Sequence, residues 1–116
     1  MAQENRQTRQ PVIYETHHIT WEGIPITIQY CADWLPNLTI EFAMAHVTVE
    51  SNDRQALPIT ETGFKSHFIP PDHIVDHGGA VAFVEAWLDH DAQSKDWKAH
   101  VEAQRQESLF SCYSDS

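Results

Sequence analysis

The stretch HHITWEGIPITIQYC, His17–Cys31, decides the fold. Apolar residues alternate before Glu22-Gly23 (Ile19, Trp21) and after it (Ile24, Ile26, Ile28, Tyr30), the period-two signature of half-buried strands. Glu22-Gly23 reads as a two-residue hairpin loop, in which glycine accepts positive φ. A loop of that length sets the register: Trp21 opposite Ile24, Ile19 opposite Ile26, His17 opposite Ile28. All three pairs fall on one face, so turn and pattern agree. His18, opposite Thr27, falls on the solvated face. The missing N–H of Pro25 would point away from Thr20, so a third strand pairing at that point would lack a donor. That end of the second strand is expected to be an edge.

Outward from the hairpin, residues 1–10 are polar without apolar periodicity and are expected to be disordered. ADWLPN is a connection, and LTIEFAMAHVTVES reads as a long third strand. Its apolar phase shifts between Met44 and Val47, which demands a bulge near Ala45-His46 or cover on both faces. A fourth strand lies within ITETGFKSHFI, where Gly63 marks a bulge or a close backbone approach. DHIVDHGG allows one helical turn stopped by Gly78-Gly79. AVAFVEAWLDHDA carries Val81, Val84, Trp87 and Leu88 at helical spacing, with Ala80 and Phe83 beside them. Ser94 is an N-cap candidate for a last helix with a thin apolar stripe, Trp97 and Val101, expected to end near Glu107.

These elements predict an α+β fold: a four-stranded, mainly antiparallel sheet with two C-terminal helices packed on one face. Residues 11–105 form the single domain, between the disordered 1–10 and a tail over 106–116. The expected core is Ile19, Trp21, Ile24, Ile26, Ile28, Ile40, Phe42, Val84, Trp87 and Leu88.

Seventeen acidic against seven basic residues give a net charge of −10, which repels nucleic acid and anionic membranes. Direct nucleic-acid binding and membrane association are therefore not expected. Two cysteines, Cys31 and Cys112, make neither a disulfide framework nor a zinc spacing. The N-terminal MAQENRQTRQ lacks the form of a signal peptide, and no run is long enough to span a membrane. A cytoplasmic protein is expected.

Eight histidines raise the question of metal. His73 and His77 are four apart, but prolines precede them and glycines follow, so the platform is poor and no metal or other cofactor is expected. There is no nucleophile elbow, P-loop or dinucleotide fingerprint. A non-enzymatic protein is expected.

The most specific signal lies in the tail, where Gln106-Glu107-Ser108-Leu109-Phe110 reads QESLF. It resembles the peptide by which bacterial proteins bind the DNA polymerase sliding clamp, through Gln106, Ser108, Leu109 and Phe110. Glu107 departs from the pattern, which often has leucine there. The resemblance implies the clamp as partner, with Leu109 and Phe110 entering an apolar pocket from an extended segment that begins at Ser108. ITETGFKSHF, GGAVAFVEAWLD and the terminal SLF also resemble a set of small proteins carried on proteobacterial plasmids and integrative elements, to which no activity is attached. That resemblance implies an accessory protein of a mobile element. The alternative from charge is an anti-defence protein that occupies a nucleic-acid groove of a host nuclease.

Overall fold

The computed structural model describes residues 13–32 and 44–114. Four strands form one antiparallel sheet in the order β1-β2-β3-β4: β1 Glu15–Trp21, β2 Ile24–Cys31, β3 Ala45–Ser51 and β4 Phe64–Ile69. Three helices follow: α1 Pro71–Asp76, α2 Ala80–Asp91 and α3 Lys95–Ser114. The architecture is α+β, as a run of strands followed by a run of helices requires.

The hairpin has the expected register, with Trp21 opposite Ile24, Ile19 opposite Ile26 and His17 opposite Ile28. Glu22 and Gly23 both take positive φ, 46° and 82°, the type I′ geometry whose twist matches the flanking strands. Pairing of β2 with β3 begins at Ile26 opposite Ser51, so β3 stops just short of Pro25 and no ladder bond is lost.

The phase shift near Ala45-His46 is resolved by cover on both faces. The ladder from Ile26 to Cys31 runs without a bulge, and Ala45, His46 and Val47 are all buried. The earlier part of the expected third strand, with Ile40 and Phe42, lies outside the described residues, as does the polar 1–10 segment.

Gly63 marks a close backbone approach. Its φ is 79°, and a Cβ there would lie 2.5 Å from the backbone carbon of Arg54. Its carbonyl accepts the Ser51 N–H at 2.9 Å, and β4 begins directly after it. The segment Asn52–Arg54, a 3₁₀ turn, is thereby locked against the start of β4.

One face of the sheet carries the core. Ile26, Ile28, Tyr30, Val47, Val49 and Ile69 meet Ile74 of α1, Ala80, Val84 and Leu88 of α2, and Trp97 of α3. Ile28, Val47, Val49, Val84 and Leu88 are wholly buried, each worth about 1.5–3 kcal/mol in removing apolar surface from water. The Trp21 indole N–H donates to Asp89 Oδ1 at 2.8 Å, tying the end of β1 to α2. Trp87 is only half-buried, because it faces the rim of the sheet rather than its centre.

α1 ends as the glycine pair demands. The Gly79 N–H bonds the Ile74 carbonyl and the Gly78 N–H bonds the Val75 carbonyl, both at 2.9 Å, with φ of 118° and 98°. This is a Schellman closure. α3 starts at its expected cap, where the Trp97 N–H donates to Ser94 Oγ at 3.1 Å. Its expected end near Glu107 is corrected: α3 runs to Ser114. Lys98 to Glu107 contain mostly alanine, glutamate, glutamine and cationic residues, and neither glycine nor proline follows to stop the helix.

Candidate functional site

The QESLF residues sit on the last turns of α3. They are helical, and the extended segment expected from Ser108 onward is replaced by helix. Spacing of i, i+3 and i+4 places positions 106, 109 and 110 on one side of α3. Gln106 is exposed, and its side-chain amide N–H donates to Glu102 Oε2 at 3.4 Å. Arg105 bonds the same carboxylate at 3.1 Å, and this bond, then the arginine's charge and the Gln106 contact, hold Glu102 below the usual carboxylate range. Leu109 is 51% exposed.

The reason lies further back on α3. Trp97 packs on Trp21, with ring centroids 5.9 Å apart, and is buried. Val101 to Glu107 are all exposed. Among the described side chains α3 therefore makes little use of the body of the domain beyond its first turns, and Leu109 is not one of the core residues.

A second feature joins β4 to α2. His67 projects from β4 on the core face and stacks near Phe83 and Trp87, with centroids 6.4 and 4.9 Å away. His77 meets Phe83 edge-on at 5.2 Å. With Ala86 and His90 they line an open groove of about 470 Å³. Burial, and then the charge of Lys65, push the His67 pKa down, so the groove is walled by a neutral imidazole and aromatic faces. Such a surface suits a flat apolar group. Sequence reading did not find it, although the phase of β4 and the i, i+4 spacing of Phe83 and Trp87 contained the signal.

On the opposite sheet face His46 is buried between two hydroxyls, Tyr14 Oη on Nδ1 and Ser66 Oγ on Nε2, both at 2.6 Å. Its ring stacks on Phe68 with centroids 4.4 Å apart. A neutral imidazole donates at one nitrogen and accepts at the other, so both bonds suit the uncharged ring that burial favours.

His73 and His77 are not brought together as ligands. The His77 Nδ1–H donates to the His73 carbonyl at 2.8 Å, and its ring turns to Phe83. Among the described residues no group of three or more His, Cys, Asp or Glu is placed to hold a metal ion. Several carboxylates have individual partners: Glu50 with Arg54 at 2.9 Å, Asp89 with Trp21, Glu102 with Arg105. Among the described residues no helix is long and apolar enough to cross a membrane.

The sequence profile of the KlcB third domain matches residues 14–97. No curated protein and no solved structure matches the chain. The matched span begins at Tyr14, one residue before β1, and ends at Trp97, the buried anchor of α3 among its described side chains, and it leaves the QESLF turns outside. Since the match covers well over half of the chain, this protein belongs to the KlcB third-domain family.

Proposed function

We propose that this chain is a non-enzymatic accessory protein of a mobile element, and that it binds the DNA polymerase sliding clamp through Gln106, Ser108, Leu109 and Phe110. A KlcB-type domain points to a plasmid-associated accessory protein. The observation that carries the clamp reading is the exposure of Leu109 on a helix whose residues Val101 to Glu107 are exposed as well. Docking the peptide in extended form requires the last turns of α3 to unwind. Among the described residues that unwinding loses no core contact; it breaks the backbone bonds of those turns and the side-chain bonds of Glu102 to Arg105 and Gln106. Helix propensity opposes it by a few tenths of a kcal/mol per residue, about what one buried leucine recovers over several residues.

A peptide spanning Arg105 to Tyr113 is expected to bind purified clamp, and the Leu109→Ala/Phe110→Ala double variant to lose binding by at least about a hundredfold at 1.4 kcal/mol per decade for each anchor. Retention of full affinity in the double variant refutes the assignment. The net charge of −10 favours a second reading, an inhibitor that occupies the nucleic-acid groove of a host defence nuclease. Salt separates the two: binding through apolar anchors persists as ionic strength rises, whereas groove mimicry weakens steeply.

A further inference from the structure

We propose that the outer edge of β1 is an interface for a second copy of this chain, the two β1 strands pairing antiparallel about His18. The two-residue loop makes Trp21 opposite Ile24 a hydrogen-bonded pair, so Ile19, His17 and Glu15 also direct their backbone groups to β2. The N–H and C=O groups of Thr16, His18 and Thr20 therefore point outward. Among the described residues nothing pairs with them.

The two sheet edges differ in how they are guarded. β4 carries Lys65 as its second residue, prolines 70 and 71 just past its end, and a Thr60 hydroxyl on the Phe64 carbonyl at 2.9 Å. These are the devices by which proteins block edge pairing. β1 is seven residues long, with no lysine, arginine, proline or bulge.

The strand is also self-complementary. Antiparallel pairing about His18 sets Thr16 opposite the second copy's Thr20, His17 opposite its Ile19 and Glu15 opposite its Trp21. Each outward-directed pair exchanges two hydrogen bonds, and threonine pairs are favourable across strands. No carboxylate faces another, which matters for a chain of charge −10. The same register carries Ile13, 72% exposed just before β1, to the second copy's Gly23. Beside Gly23 lies a hollow of about 280 Å³ lined by Glu22, Ile24, Ala56, Trp97 and Val101. Ile13 of each copy fills the hollow of the other, a two-fold closed arrangement.

Sedimentation velocity on the full chain across a micromolar concentration series is expected to show conversion from one to two chains. His18→Pro places the ring where the outward N–H was, leaves the β1–β2 ladder intact, and is expected to give a folded monomer. Ile13→Asp is expected to weaken self-association at least about tenfold. In a Cys112→Ser background, His18→Cys is expected to oxidise to a covalent dimer, because the central residues face each other at about 5.5 Å between Cα atoms. Thr16→Cys is expected not to, its two copies lying roughly 13 Å apart along the strands. A chain that stays single at all concentrations, a dimer that survives His18→Pro in folded protein, or equal crosslinking by the two cysteine variants overturns the proposal. Should His18→Pro fail to fold, the cysteine pair decides.

Discussion

α2 and α3 follow each other in the chain and serve opposite purposes. α2 has twelve residues and buries Ala80, Val84 and Leu88, four apart, against the sheet. α3 has twenty, yet Trp97 is its one buried side chain among those described. α2 exists because its apolar stripe is covered, whereas Val101 to Glu107 of α3 are all exposed and draw little from packing. Isolated helix of that kind is marginal in water. The pair shows where the domain invests its packing and where, among the described side chains, a helix stands in solvent.

Leu88→Ala strikes the packed side of this comparison hardest. Leu88 is wholly buried between sheet and helix, so the loss is expected to be about 4 kcal/mol by urea unfolding. A loss below about 1 kcal/mol would mean that the sheet closes without α2. Trp97→Ala removes the anchor of α3 and is expected to cost about 3 kcal/mol, with a concurrent fall in helical circular dichroism as α3 detaches. If ellipticity holds while stability falls, α3 is held by contacts beyond Trp97.

Ser94→Ala deletes the cap that starts α3 and is expected to cost about 1 kcal/mol. Mild acid should weaken the body. The pKa values of His46 and His67 are lowered by burial, so the unfolded chain binds more protons than the folded one below about pH 6.5. Their contribution to stability is whole above that pH and declines as pH falls through it. Thermal melts from pH 7.5 to 5.5 check this, and a melting temperature that rises on acidification would reverse the sign. Leu109→Ala is the smallest effect: within about 0.5 kcal/mol in stability, because the side chain is exposed where it stands.

What could be read from the residues and what could not divides along contact range. The hairpin register followed from a two-residue loop and a period of two, both local, and a slip by one residue would have turned Ile26 and Ile28 to solvent. The glycine pair after α1 and the Ser94 cap were equally local, since backbone donors and acceptors within a few residues settle them. Gly63 announced itself as special, but the partner it approaches, the backbone of Arg54, came only with the turn at Asn52–Arg54. The end of α3 was misplaced because no glycine or proline stood there to read, and without a stop signal the balance of helix propensity against solvent is too close to judge by eye. The groove of His67, Phe83 and Trp87, the Trp21–Asp89 bond and the doubly bonded His46 unite residues from distant parts of the chain. The sequence by itself determined the strands, their first register and the helical caps, because those depend on neighbours along the chain. Only the tertiary structure decided which side chains share a site and which apolar residues stay uncovered, because that depends on which surfaces the folded elements leave for one another.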